Sequence, residues 1–175
     1  MGKITKDFMT LDGARIYYES AGQGDAVLFA HAGFVDSRMW DAQFEYFARC
    51  YQVIRFDMRG YGSSDPAQEP VVRRKEIYSL MRHLSIQKAA LVGCSMGGAT
   101  VLDFALEHPD MANALILVST VPGGFEMQGE PPPGLWDRIA ASLDGPRPVN
   151  APARPGFWRV WALGASAVAA GLAAL

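Results

Sequence analysis

Residues 89–105 constrain the fold more than any other stretch: AALVG-CSMGG-ATVLDFA, with Ser95 at the centre. The apolar Val/Leu/Ala run before Ser95 has the composition of a buried strand. After it, Ala99, Leu102, Ala105 and Leu106 recur at helical spacing, which predicts a helix resting on that face. Gly93-Cys94-Ser95-Met96-Gly97 between them fits G-x-S-x-G, the pattern of a strand that turns sharply into a helix and displays its serine. Glycine belongs at the flanking positions because a side chain there would meet the strand or the helix. The serine hydroxyl then stands at the positive end of a helix, where developing negative charge is stabilised.

The rest of the chain supplies the sheet for such a turn. Phe8–Leu11 and Ala14–Glu19 read as two short strands joined through Asp12-Gly13, a hairpin signal. Ala26–Ala30 is a continuous apolar run of the kind covered on both faces. Trp40, Phe44 and Phe47 fall at helical spacing, predicting a helix over 37–49 capped by Asp36 or Ser37. Tyr51–Phe56 is a strand, and Val71–Leu84 is an amphipathic helix with Ile77, Leu80, Met81 and Leu84 inside. Asn113–Ser119 is the last clear strand. Alternating strands and helices from Ala26 to Ser119 imply right-handed crossovers and a doubly wound, mostly parallel α/β sheet with helices on both faces.

Beyond Val121 the composition changes. The expected organisation is a sheet-forming part over 1–125, a Pro/Gly-rich irregular segment over 126–156 and an apolar, alanine-rich tail over 157–175. The uninterrupted apolar run 160–175 falls short of the ~20 residues of a membrane span, so membrane contact by the tail is not the expectation. The Arg/Pro/Ala bias after Gly145 is also what a GC-rich gene read in a shifted frame would encode; sequencing the gene tests that.

Composition narrows the function classes. The 175 residues carry a net charge of −2 and no basic run, so nucleic acid is not an expected partner. Arg73-Arg74-Lys75 reads as a solvated helix face. The N-terminal MGKITKDFMT has no secretory pattern, and Cys50 and Cys94 show neither metal nor disulfide spacing. The expected compartment is the cytoplasm, with no metal and no cofactor. Cys94 is most simply a small buried residue.

Three motifs stand at the ends of successive predicted parallel strands, where ligand sites of open α/β sheets lie. They are His31-Ala32-Gly33, Asp57-Met58-Arg59-Gly60-Tyr61-Gly62 and Gly93-Cys94-Ser95-Met96-Gly97-Gly98. Their order and spacing resemble the α/β-hydrolase fold family of esterases, lactonases and haloperoxidase-like enzymes. The resemblance covers residues 4–125, the front of that fold, truncated after about the sixth strand. It implies that Ser95 is a nucleophile for a small ester, lactone or related acyl substrate, with an acyl-enzyme intermediate. A serine rather than an aspartate argues against the dehalogenase branch.

The resemblance further implies oxyanion donation by the backbone N–H of Met96 and by that of Gly33, with Phe34 next in line. His31 would prop the oxyanion loop rather than act as the base. Asp57 and Arg59 would brace the following loop through a salt bridge and backbone contacts, a substrate clamp by Arg59 being the second reading. Phe34 and Trp40 are read either as the wall of an acyl pocket or as core. Family order places an acid and then a histidine after the serine. The one histidine downstream is His108, at the far end of the helix, about 20 Å from Ser95 for about 13 residues. His83 ends the preceding helix. The alternative function is therefore a catalytically inactive fragment lacking acid and base.

Overall fold

Val27 and Phe29 of the third strand face one layer of helix while Leu28 and Ala30 face the other, and this two-residue alternation organises the molecule. The computed structural model describes residues 3–67 and 70–122. The readings for 126–156 and for the tail 157–175, including its membrane contact, lie outside those residues. The strands are β1 (Thr5–Leu11), β2 (Ala14–Ala21), β3 (Ala26–Ala30), β4 (Gln52–Phe56), β5 (Ala89–Cys94) and β6 (Ala112–Val118). The helices are α1 (Asp41–Phe47), α2 (Arg73–His83) and α3 (Met96–Glu107).

The sheet order is β1-β2-β4-β3-β5-β6. β3, β4, β5 and β6 run parallel, while β1 and β2 form an antiparallel hairpin that joins the sheet along β4. Asp12 and Gly13 at the hairpin tip have φ of 49° and 77°, the paired left-handed residues that a two-residue turn requires. The fold is the expected mostly parallel α/β sheet. α2 and α3 cover one face over Leu28, Ile54, Phe56 and Leu91. Trp40 and α1 cover the other over Val27, Phe29 and Val53.

The structure revises three local expectations. The helix expected over 37–49 is a 3-10 turn, Ser37–Trp40, capped by Asp36 and followed by α1. Its caps decide this, because the Asp36 carboxylate holds the Arg38 amide at 3.0 Å in the tighter turn. In α3 the buried residues are Gly97, Gly98, Thr100, Val101 and Phe104, whereas Leu106 is 74% exposed. Two bare glycine positions let the helix approach the sheet on their own side. The Thr100 hydroxyl is buried at no loss, since it bonds to the Met96 carbonyl at 2.8 Å. Finally, Arg73 and Arg74 are not merely solvated: Arg73 stacks on Tyr61 and Arg74 pairs with Glu107.

A buried ion pair fastens α1 to the hairpin. Arg55 lies directly opposite Glu19 in the β2–β4 register. Its Nε and one terminal nitrogen donate to Glu19 at 3.0 and 2.7 Å. The other terminal nitrogen reaches the Ser37 carbonyl and the Asp41 carboxylate, and the guanidinium lies 4.5 Å from the Phe44 ring centre. Burial alone would raise the Glu19 pKa. Hydrogen bonds from Tyr17, Lys6 and Arg55, with the Arg55 charge, hold it below the ordinary carboxylate value instead.

Candidate active site

The junction of β5 and α3 puts Ser95 in a backbone conformation that residues other than glycine rarely take, φ 50° and ψ −115°. Three contacts hold it there. Its amide donates to the Val118 carbonyl at 2.9 Å, and its own carbonyl accepts from the Ala99 amide at 3.0 Å and the Thr120 hydroxyl at 2.6 Å. A serine at the N-cap ordinarily spends its hydroxyl on capping the helix. Ser95 makes no such bond, and it is exposed. The hydroxyl is thus presented at a helix N-terminus whose first amides have no acceptor within the helix.

The glycines of the motif are fixed by backbone contact. A Cβ at Gly93 would collide with the backbone of Gly97 and Gly98, and one at Gly97 with the carbonyls of Ala30 and His31. At Gly98 it would strike Thr120. α3 therefore seats its first turn directly on the end of β3, which brings the loop after β3 beside Ser95.

That loop carries His31, Gly33 and Phe34. His31 is fully buried; its Nε2 accepts the Met58 amide at 3.0 Å and its Nδ1 lies 2.7 Å from the Ala32 carbonyl. This pattern requires a neutral ring protonated on Nδ1. Burial lowers the imidazole pKa, against the raising effect of the Ala32 bond, and so favours that state. Gly33 packs on Met96: a Cβ built there would stand 4.0 Å from Met96 Cβ and Sδ. Phe34 has φ 64° and its ring is wholly in solvent, at 101% of the reference exposure. A bulky residue held that way costs about 1–3 kcal/mol, and such strain gathers at functional sites. Val35 and Met39 are exposed as well, and Met39 Sδ accepts the Ala32 amide at 3.2 Å.

Trp40 does not share that exposure. It is buried beneath α1, its ring 5.3 Å from Phe29, so the structure assigns it to the core rather than to a pocket wall. Asp57 and Arg59 are placed in the loop after β4, but they form no salt bridge with each other. Asp57 receives the amides of Ser37 and Ser63, each at 2.8 Å, on its two carboxylate oxygens. Arg59 turns the other way and donates to the Leu11 carbonyl at 2.6 Å. Cys94 is half-buried, and burial pushes its thiol pKa up, which keeps it protonated.

All three histidines of the chain fall within the described residues, and each is engaged away from Ser95. His31 is committed as above. His83 sits 3.3 Å from the Tyr18 hydroxyl, and His108 stacks on Tyr78 at the C-terminal end of α3.

Two residues, Tyr61 in the loop after β4 and Glu76 behind it, are given no role of their own by the sequence reading. Tyr61, in the glycine-flanked loop after β4, places its hydroxyl 3.7 Å from Met96 Sδ and its ring edge-on to His31. Glu76, behind that loop on α2, is fully buried, and among the described residues its carboxylate has one hydrogen-bond donor, the Arg59 amide at 3.4 Å. The available signal was its spacing: residues 76, 77, 80 and 81 share one helix face. Burial raises the Glu76 pKa from 4.5 to about 7, opposed by the Arg59 amide and the charges of Arg73 and Arg59.

The folded state therefore holds this proton more tightly than the unfolded chain. The stability from Glu76 is complete below pH 4.5, falls as the pH rises and is gone above about 7. The expected loss across that window is about 3 kcal/mol. Urea unfolding of wild type and Glu76→Gln across this pH range measures it. The difference between the two should carry the slope, and parallel curves would show that Glu76 titrates normally.

Comparison with known proteins agrees with this geometry. The family model described as alpha/beta hydrolase fold matches residues 25–147. The chain belongs to the α/β-hydrolase fold family. It is 38% identical over 155 residues to a 2-hydroxy-6-oxo-6-phenylhexa-2,4-dienoate hydrolase of Burkholderia cepacia, covering 84% of this chain and 49% of that protein. It is 32% identical over 120 residues to 3-oxoadipate enol-lactonase 2 of Acinetobacter baylyi, covering 66% of this chain and 45% of that one. Among solved structures, Est816, described as an N-acyl homoserine lactone degrading enzyme, superposes with a TM-score of 0.63 at 30% identity. That match covers 65% of this chain and 45% of Est816. The chain thus spans about half the length of the relatives it matches.

Proposed function

We propose that Ser95 is the nucleophile of a hydrolase acting on a small ester, lactone or related acyl compound. The observation that carries this is the Ser95 backbone at φ 50°, ψ −115° with a hydroxyl that is exposed and does no capping. The Ser95 Oγ attacks the carbonyl carbon and its proton leaves to a base. The carbonyl oxygen becomes an oxyanion facing the amides of Met96 and Gly33, with Phe34 next to them. Collapse expels the leaving group and leaves an acyl-enzyme for water to hydrolyse. The relatives named above lend weight to a carbonyl substrate. The exposed Phe34, Val35 and Met39 favour an apolar portion on it. His31 acts as a prop for the oxyanion loop, and Asp57 and Arg59 hold the next loop through backbone groups.

The general base is none of the chain's own histidines, given where each is engaged. That observation also favours a second reading, a hydrolase scaffold that holds the elbow without turnover. Intact-mass analysis with a fluorophosphonate separates the two. The full chain should gain one adduct at Ser95 slowly, and added imidazole should speed this about tenfold or more by accepting the proton. Ser95→Ala should gain none. A folded chain left unlabelled with and without imidazole would leave only the scaffold reading.

A further inference from the structure

Met96 and Gly33 come from different parts of the chain, and one side chain touches both of their neighbourhoods. The Tyr61 hydroxyl donates to Met96 Sδ at 3.7 Å, while the ring stands edge-on to His31 with centroids 5.2 Å apart. Met96 Sδ is also the atom that lies 4.0 Å from where a Gly33 side chain would begin. His31, Tyr61, Met96 and Gly33 therefore form a closed circuit of contacts that links the loop after β3, the loop after β4 and the first turn of α3. Tyr61 itself is pinned. Its amide donates to the Met58 carbonyl at 2.9 Å, in the same residue whose amide binds His31. From α2, the Arg73 guanidinium lies 5.2 Å from the Tyr61 ring centre and donates to the Arg59 carbonyl at 3.1 Å. Gly62, at φ 52°, leaves no room for a Cβ against the Asp57 carboxylate, so the loop packs closely on Asp57 there.

We propose that Tyr61 is a positioning residue that sets the separation of the two oxyanion amides, its aromatic ring acting as the spacer between the loop after β3 and the first turn of α3. This rests on the reading of Ser95 as nucleophile, and it gives the loop after β4 a role in the reaction without contact to substrate. The ring carries the effect, so phenylalanine can replace tyrosine and an aliphatic side chain cannot.

The test uses the full chain, a fluorophosphonate and added imidazole, with the limiting rate of labelling separated from the half-saturating concentration. Tyr61→Leu should lower the limiting rate about tenfold with the half-saturating concentration unchanged, because misplaced amides act only on the developing oxyanion. Tyr61→Phe should stay within about twofold of wild type, since it retains the ring. An unchanged limiting rate in Tyr61→Leu, or a loss confined to the half-saturating concentration, overturns the proposal. The ¹⁵N resonances of the Gly33 and Met96 amides give a reading that does not need a reactive serine. Both should move in Tyr61→Leu, and movement of one alone overturns the proposal. If Tyr61→Leu does not fold, Tyr61→Met, an unbranched chain that also lacks the ring, gives the same reading: both amides should move, and unmoved Gly33 and Met96 amides overturn the proposal equally. A wild-type chain that never labels removes the nucleophile reading, and the two amides then decide the spacer by themselves.

Discussion

Gly97→Ala is expected to cost about 3 kcal/mol or more of folding free energy, a large share of the ~5–15 kcal/mol that holds an ordinary domain together. The added methyl would enter the carbonyl groups of Ala30 and His31. Both belong to backbone at the end of β3, a central strand paired on either side by β4 and β5, so neither can step aside. The alternative is for α3 to lift from the sheet, which would expose Val101 and Phe104 and break the contact that places Ser95 beside the loop after β3. Gly33→Ala supplies the control. Its new Cβ would have nothing nearer than 4.0 Å, and the expected change is below about 1 kcal/mol. Urea unfolding followed by circular dichroism measures both. Equal, small effects would show that α3 is not seated on β3 as described.

Arg55→Met is expected to cost about 3–5 kcal/mol, because it leaves the Glu19 carboxylate buried without its main counter-charge. Tyr17 at 2.6 Å and Lys6 at 2.9 Å would remain on one oxygen of Glu19, while the oxygen now shared by two Arg55 nitrogens would lose both donors. Asp41 is mostly in water and tolerates the loss. The pair is also a linkage element. Its carboxylate pKa is depressed, so its stabilisation is present above the ordinary carboxylate range and is lost as the pH falls through the folded value. Replacing both partners, Arg55→Met with Glu19→Leu, should return stability to within about 1 kcal/mol of wild type, since apolar side chains of similar size need no counter-charge. Additive losses in the double variant would mean that the two residues act separately.

The secondary structure and the strand-to-helix turn that carries the candidate site were legible in the sequence because each rests on short-range pattern. An apolar run such as Ala26–Ala30 reads as a two-sided strand wherever it lies, and Asp12-Gly13 makes its turn from the conformations those two residues can adopt. Gly93-Cys94-Ser95-Met96-Gly97 specifies a sharp turn because side-chain volume forbids one otherwise, so the amino acids alone placed Ser95 between strand and helix.

What the sequence left open are relations between distant segments. β2 lies beside β4 rather than β3, and only that neighbour puts Arg55 opposite Glu19. The inner face of α3 follows its glycines instead of its leucines, because the depth of approach to β3 was settled by backbone contact across 66 residues of chain, from Gly97 back to His31. Asp57 and Arg59 are two residues apart yet find separate partners at Ser37, Ser63 and Leu11. Glu76 is buried, and Tyr61 meets both His31 and Met96, through packing that no local window contains. Periodicity and turn chemistry are written residue by residue, whereas neighbours across a sheet are chosen by the free energy of the whole assembled core.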